Sequence, residues 1–232
     1  MKLVLSKRPK GVTIVEGFPG FGLVGTIALE FLLEHLDTVK IGSVEMDEIP
    51  AMVAIHNSKV IEPISIHYNK KNNLVFVHAI NAGRDLGWAL ADVVLELATK
   101  LEAKQIISLE GVGSSQPGKS RVFYYYTGKR KMALELASPL KEGVIVGVTG
   151  ALLSKSTKLP ILALFAEAQS QLPDSKSAAQ IIRAFDEITG LEIDPKPLDK
   201  QAVVFEDKLR KIKKQQDRTE KAVQKRDLSY VG

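Results

Sequence analysis

The sequence contains no cysteine among its 232 residues. That absence excludes a disulfide framework, a zinc site with cysteine ligands and a thiol nucleophile. Histidine is also scarce, and none of the four histidines stands at the HxH or HExxH spacing that is typical of metal ligands. We therefore expect core or solvated histidines, and no metal site, at His35, His56, His67 and His78.

Long apolar runs are absent as well. No stretch approaches the length of a membrane span, and the apolar run at residues 3–5 is too short for a signal peptide. Hydrophobic residues make up 45% of the chain and charged residues 25%, which is ordinary for a globular protein. These observations predict a cytoplasmic protein.

The net charge of +5 is concentrated near the C-terminus. Residues 199–227 contain ten Lys and Arg against six Asp and Glu, so the rest of the chain is nearly neutral. A basic tail on a neutral body does not form the groove that nucleic acid requires. We expect no nucleic-acid and no membrane partner.

The order of apolar segments predicts the fold. We predict strands over residues 12–15, 38–44, 105–109, 121–127, 144–148 and 160–165, and helices over residues 23–35, 86–101 and 177–189. Three β-rich runs at residues 51–56, 64–68 and 74–79 interrupt this alternation, and the polar residues 69–73 predict a hairpin between the last two. Alternating strands and helices indicate a three-layer α/β/α domain with a mostly parallel mixed sheet.

The C-terminal part differs in composition from this core. We predict a core domain over residues 1–192, a proline-containing linker over 193–198, and a charged helix with a tail over 199–232. The spacing of Phe205, Leu209 and Ile212 is that of a heptad seam, which favours a contact between subunits. The alternative is a solitary solvated helix.

Four glycines and a proline fall between Gly17 and Gly25. The pattern Gly20-x-Gly22-x-x-Gly25 fits the dinucleotide-binding fingerprint, and acidic residues at 45–48 stand about twenty residues further on, where a ribose-binding carboxylate would lie. Together with Gly111 and Gly113, this turn is our candidate small-molecule pocket. Phe18 and Phe21 compete for the space that a pyrophosphate needs, so we favour tight strand-to-helix packing and expect no cofactor.

Three glutamates follow or end predicted strands. Glu16, Glu110 and Glu167 are each expected near the carboxyl edge of the sheet, where several carboxylates would suit acid–base chemistry. Loop glutamates more often bond backbone amides. Ser114 and Ser115 lack the context of a nucleophile elbow. We therefore predict no catalytic residue.

Several segments, in order along the chain, resemble the archaeal members of the proteasome assembly chaperone family. The resemblance rests on the glycine turn at residues 17–25 and on later matching segments at residues 110–113, 146–153 and 174–189. It covers nearly the whole chain, which makes it more specific than any single motif.

The resemblance implies an α/β/α fold like that of nucleoside phosphorylases, no established catalysis, and homo-oligomers that assist assembly of the proteasome α-ring. Some members dock through a C-terminal hydrophobic-Tyr-any tail. This chain ends in Leu228, Ser229, Tyr230, Val231 and Gly232, so its tyrosine is third rather than second from the end and follows a serine.

We accordingly predict a protein-binding assembly chaperone whose partners are other copies of itself and proteasome α subunits or a paralogous chaperone. The alternative is an enzyme acting on a nucleoside, nucleotide or carboxylate in the crevice at the sheet edge.

Overall fold

The fold is that of a computed structural model of the chain. It describes residues 1–48, 53–56, 59–80, 85–114, 120–130, 132–155, 158–168 and 170–198, together with Lys211 and Lys214. Among the helices in these ranges, none combines the length and the apolar character needed to cross a membrane.

Eleven strands, four α-helices and one 3-10 helix at Phe21–Leu23 have defined bounds along the described chain. The strands are β1 (Lys2–Leu5), β2 (Thr13–Gly17), β3 (Val39–Glu45), β4 (Ala54–His56), β5 (Lys59–Ile61), β6 (Ile64–Asn69), β7 (Leu74–Ala79), β8 (Gln105–Gly113), β9 (Val122–Tyr126), β10 (Ser138–Pro139) and β11 (Ile161–Ala168). The helices are α1 (Val24–His35), α2 (Gly87–Lys100), α3 (Gly147–Lys155) and α4 (Ser175–Thr189).

Nine of the strands form one mixed sheet in the order β1-β3-β6-β7-β2-β8-β11-β9-β10. Its four central strands, β7, β2, β8 and β11, are parallel, whereas β1, β3 and β6 join through antiparallel pairs. Strands β4 and β5 form a separate hairpin. The predicted mixed-sheet fold is confirmed, and so is the antiparallel insertion.

Helices cover both faces of this sheet. Helices α1 and α4 bury Phe31 and Phe185 in one apolar cluster, and helices α2 and α3 bury Leu90 and Leu152 in the other. Each face of the sheet therefore has its own hydrophobic core, as a three-layer domain requires.

Helix α4 confirms the helix predicted over residues 177–189 and begins two residues earlier, at Ser175. Asp174 precedes the helix and its side chain accepts a hydrogen bond from the backbone of Ser177 at 2.9 Å. Gly190 follows the helix in the left-handed conformation, with a φ of 63°. Both residues satisfy backbone groups that a helix end leaves unpaired.

The dinucleotide-binding interpretation fails at the acidic residues. Strand β3 is separated from β2 by β6 and β7, so the residues at its end do not lie beside the glycine turn. Instead, Glu45 binds the Lys2 side chain at 3.1 Å and Glu48 binds the N-terminal amine at 2.7 Å. These carboxylates fasten the N-terminal strand and lie apart from the glycine turn.

The strand predicted over residues 144–148 is wrong. Residues 144–146 lie outside the sheet, with Val144 and Val146 exposed to 89% and 76%, and helix α3 begins at Gly147. Gly147 has a φ of 77°, a left-handed conformation that interrupts an extended chain. Thr149 consequently lies in the first turn of a helix and not in a loop after a strand.

The predicted subunit contact at Phe205, Leu209 and Ile212 and the predicted docking tail at Leu228, Ser229, Tyr230, Val231 and Gly232 lie outside the described residues. Within the predicted C-terminal helix, the described Lys211 and Lys214 are helical and exposed.

Candidate functional site

A cavity of about 620 Å³ lies at the carboxyl ends of β2 and β8, where the N-termini of helices α2 and α3 also meet. Such an edge of a parallel sheet is the usual place for a ligand crevice. Its described lining includes three aromatic rings and two acidic side chains, from Phe18, Phe21, Trp88, Asp85 and Glu110. None of its described lining residues is a lysine or an arginine.

The glycine turn works mainly as a packing device. A Cβ atom added to Gly25 would lie 2.0 Å from the carbonyl oxygen of Leu109, and one added to Gly17 would lie 2.4 Å from the carbonyl oxygen of Gly25. Gly22 has a φ of 63°, and a Cβ there would lie 2.8 Å from Ala168. Helix α1 can sit this close to the sheet because these positions carry no side chain.

The candidate pocket glycines divide into two groups. Gly20, Gly111 and Gly113 line the cavity, whereas Gly22 and Gly25 are not among its lining residues. A Cβ on Gly20 would lie 2.0 Å from Oε1 of Glu110, because the glutamate side chain fills the space beneath the turn. A carboxyl group therefore stands where a pyrophosphate would have to approach.

Glu16 and Glu110 are linked by hydroxyl groups into one buried polar network. Residues Glu16 and Ser108 are direct neighbours on strands β2 and β8. The Ser108 Oγ lies 2.7 Å from Oγ1 of Thr149, which donates a hydrogen bond to Oε2 of Glu110 at 3.1 Å. Glu16 itself is 1% exposed and accepts a hydrogen bond from the Phe18 amide at 3.4 Å.

Burial changes the proton affinity of both carboxyl groups. It raises the pKa of Glu16 to about 7, against the opposing effect of hydrogen bonds from Ser108 and Phe18. Burial and then the charge of Glu16 raise the pKa of Glu110 to about 8. Near neutral pH the pair therefore holds at least one proton.

Glu167 stands apart from this pair. Its carboxylate accepts hydrogen bonds from Nε and Nη2 of Arg121 at 2.8 and 2.6 Å. The arginine lowers the pKa of Glu167 and keeps it ionised. Glu167 lines a neighbouring recess of about 600 Å³. All three predicted glutamates thus lie near the carboxyl edge, but hydroxyl groups connect only Glu16 and Glu110 within the described residues.

Two of the histidines serve a structural purpose. His78 is 4% exposed, and its Nε2 lies 2.7 Å from Oε2 of Glu30 on helix α1. His67 Nε2 lies 2.9 Å from Oγ of Ser65, and burial followed by the charge of His78 lowers the pKa of His67 to about 4. Ser65 is only 3% exposed, which makes it inaccessible as a nucleophile.

Ser108 and Trp88 are site residues that the sequence did not predict, and Thr149, expected in a small-residue loop after a strand, reaches the site from a helix. Ser108 could have been identified from the sequence, because a polar residue inside the apolar strand 105–109 indicates a buried polar contact. Thr149 joins the network through helix α3, which the sequence analysis did not predict. Trp88 is the only tryptophan of the chain and lies at the start of α2 with 58% of its side chain exposed.

The rim of the cavity carries an exposed apolar surface. Trp88, Val144 and Val146 line the cavity and are exposed to 58%, 89% and 76%. A second exposed apolar pair, Ile55 and Val60, faces outward from the β4–β5 hairpin, where the two are cross-strand partners. Exposed apolar groups of this kind are typical of protein interaction surfaces.

Solved structures of archaeal proteins are similar to this chain. PbaA of Pyrococcus furiosus, described as an archaeal homolog of proteasome-assembly chaperone, is 28% identical with a TM-score of 0.82, over 94% of this chain and 99% of its own. PbaB of the same organism, described as an archaeal proteasome activator, is 25% identical with a TM-score of 0.71, over 91% of this chain and 98% of its own.

Two uncharacterized proteins of Methanocaldococcus jannaschii are each 26% identical to this chain. The alignments cover 87% and 94% of this chain and 85% and 92% of those proteins. The PAC2 family matches residues 14–213, which include the glycine turn and nearly all of the described sheet. The predicted resemblance to proteasome assembly chaperones is confirmed, and the chain belongs to the PAC2 family.

Proposed function

We propose that this protein is a non-catalytic assembly factor that binds proteasome α subunits. The observation that carries the proposal is the likeness to PbaA over 94% of this chain, with a TM-score of 0.82. The similarity therefore covers the whole domain and not a single motif, and it is to a protein described as a homolog of a proteasome-assembly chaperone.

The exposed apolar side chains supply a physical basis for partner binding. Val144, Val146 and Ile55 are exposed to 89%, 76% and 75%, and such side chains gain free energy only when a partner removes them from water. Fully burying one valine or isoleucine side chain contributes about 2 kcal/mol. Two or three of them contribute about 4 to 6 kcal/mol, so a micromolar contact, which needs about 8 kcal/mol, also requires further contacts such as those of the tail.

The C-terminal tail is the proposed second contact. Residues 228–232 contain Tyr230 and follow a strongly basic segment. A segment of this kind can enter a groove between subunits, and the basic segment accelerates association with an acidic partner. Phe205, Leu209 and Ile212 would hold copies of this chain together.

The alternative, an enzyme acting on a nucleoside, nucleotide or carboxylate, is less well supported. An anionic substrate would meet Asp85 and Glu110 and no lysine or arginine among the described lining residues. The turn that resembles a dinucleotide fingerprint is filled by the Glu110 side chain. Both features disfavour a phosphate group in the cavity.

A pull-down of proteasome α subunits from the same organism tests the proposal. We expect the intact protein to retain α subunits, because the apolar rim and the tail both contribute contacts. Removing residues 228–232 is expected to weaken binding by about tenfold, which corresponds to about 1.4 kcal/mol. The matched variants are Tyr230→Ala, which should reproduce much of that loss, and Ser229→Ala, which should not.

Failure of the intact protein to retain α subunits at micromolar concentration would refute the proposal. Equal binding by the intact and shortened proteins would instead refute the role of the tail and leave the apolar rim as the contact.

A further inference from the structure

We propose that the cavity beside Glu110 binds an organic cation, namely a primary ammonium group carried on a short apolar chain. The proposal does not rest on the binding of proteasome subunits, although Trp88, Val144 and Val146 of the apolar rim also line this cavity. It lies at the sheet edge between β2, β8 and the first turns of α2 and α3, and its volume of about 620 Å³ is large enough for a small organic molecule.

The charges of the cavity select a cation. Asp85 and Glu110 line it, and Glu16, which is not a lining residue, joins Glu110 through the hydroxyl groups of Ser108 and Thr149. No lysine or arginine belongs to the described lining, although the chain as a whole carries a net charge of +5. An anion entering this space would lose water and meet the carboxyl groups of Asp85 and Glu110, with no lysine or arginine among the described lining residues, whereas an ammonium group would meet acceptors of opposite charge.

The walls of the cavity fit the apolar part of such a ligand. Phe18, Phe21 and Trp88 contribute aromatic rings, and apolar side chains from residues 144–148 contribute much of the remainder. Aromatic faces attract ammonium groups as well as methylene chains. Trp88 already attracts a cation in this way, because Nζ of Lys155 lies 5.4 Å from the centre of its ring.

The hydroxyl-linked carboxyl pair supplies the driving force. Oε1 of Glu16 is buried and has no hydrogen-bond partner among the described residues, which is a costly state for a carboxyl oxygen. Burial keeps a proton on the pair near neutral pH. A cation beside Glu110 lowers the pKa of that carboxyl group. Ligand binding is therefore coupled to the release of a proton.

The first turns of helices α1 and α2 also favour the ionised form of the Glu16–Glu110 pair. Helix α1 and helix α2 begin without a side-chain cap, at Leu23 and Leu86. The positive ends of these helices stabilise carboxylates close to them and therefore favour the ionised pair once a cation has arrived. Butyrate, which those helix ends would attract directly, is the informative competitor.

Isothermal titration of the full-length protein with n-butylammonium chloride tests the proposal. Because n-butanol and sodium butyrate have the same carbon chain, they serve as neutral and anionic controls. We expect n-butylammonium to bind more tightly than either, with an affinity that rises several-fold from pH 6 to pH 8. Titrations in buffers of different ionisation enthalpy should show release of about one proton per ligand near pH 7.

Fluorescence of Trp88 gives a second readout at the same site, because it is the only tryptophan in the chain. Glu110→Gln should weaken n-butylammonium binding at least tenfold, whereas Glu96→Gln, a change at an exposed carboxylate of helix α2, should leave it unchanged. Asp85→Asn should weaken binding several-fold. Asp85 is exposed and has a φ of 61°, a conformation that asparagine also adopts, so this variant will fold even if Glu110→Gln does not.

Four results would overturn the proposal. They are n-butanol binding as tightly as n-butylammonium, butyrate binding more tightly, no binding of n-butylammonium at millimolar concentration, and unchanged affinity in the folded Glu110→Gln and Asp85→Asn variants.

Discussion

Replacing Glu110 by glutamine should stabilise the protein markedly at pH 9 and change its stability little at pH 5. Burial and the charge of Glu16 raise the pKa of Glu110 from 4.5 to about 8. A carboxyl group with a raised pKa stabilises the folded state fully below its unfolded pKa. That contribution is lost as the pH rises through its folded pKa.

The size of the effect follows from the shift. Each pKa unit corresponds to about 1.4 kcal/mol, so ionising Glu110 in the fold at pH 9 costs on the order of 5 kcal/mol. Glutamine keeps an oxygen that can accept the hydrogen bond from Thr149 and carries no charge. Its introduction also removes the repulsion that Glu110 exerts on Glu16.

Urea unfolding at pH 5 and pH 9 measures this difference. The free energy of unfolding of the wild type should fall from pH 5 to pH 9. Glu110→Gln should lack the part of that fall that Glu110 causes and keep the part that Glu16 causes, since burial raises the pKa of Glu16 to about 7. Glu96→Gln is the control, since Glu96 is exposed and pairs only with Lys100 in the described structure. If the free energy of unfolding declined equally in the wild type and in Glu110→Gln, the pKa of Glu110 in the folded protein would not be raised.

Replacing Gly25 by alanine is expected to have a second large effect, on stability at any pH. The added Cβ would lie 2.0 Å from the backbone oxygen of Leu109, and backbone atoms of a central strand cannot move aside cheaply. Helix α1 would have to lift from the sheet and loosen the cluster that holds Phe31. We expect a loss of about 4 kcal/mol in the free energy of unfolding, or failure to fold.

Gly143→Ala is the matched control for that experiment. A Cβ on Gly143 would lie 3.6 Å from the side chain of Leu140, an ordinary contact, and residue 143 is exposed. Thermal unfolding of the two variants should therefore separate them clearly. Equal stability of Gly25→Ala and wild type would show that a Cβ atom at residue 25 fits beside the backbone of Leu109. The packing interpretation of the glycines would then be wrong.

The parts of the fold that the sequence predicts well are those fixed by local chemistry. Helix α4 is an example, because Asp174 and Gly190 cap its ends and its apolar residues recur at helical spacing. The hairpin at residues 69–73 is another, since its polar turn joins two apolar runs that pair directly.

The parts that it predicts poorly depend on distant contacts. Val144, Ile145 and Val146 have high β-propensity, yet the structure leaves them outside the sheet and starts a helix at Gly147. The acidic residues after β3 stand at a plausible distance from the glycine turn along the chain. The order of strands nevertheless places two other strands between β3 and β2.

The candidate site, too, has features that the sequence predicts and features that it does not. Its glutamates at the ends of β2 and β8 are visible in the sequence, because strand ends in an α/β protein share one edge. Their connection through Ser108 and Thr149 is not visible in the sequence. These two residues are 41 positions apart, and Thr149 belongs to helix α3, where the sequence predicts a strand. Long-range contacts of this kind follow from topology and not from local pattern.

The most direct test of the account is the rate of proteasome α-ring assembly from purified α subunits of the same organism, followed by native mass spectrometry. With equimolar wild-type protein, we predict a transient complex containing this chain and α subunits, and faster ring formation. The Glu110→Gln variant should act equally well, because assembly depends on surface binding and not on the cavity. Unchanged assembly and no complex at any time would contradict the proposed function.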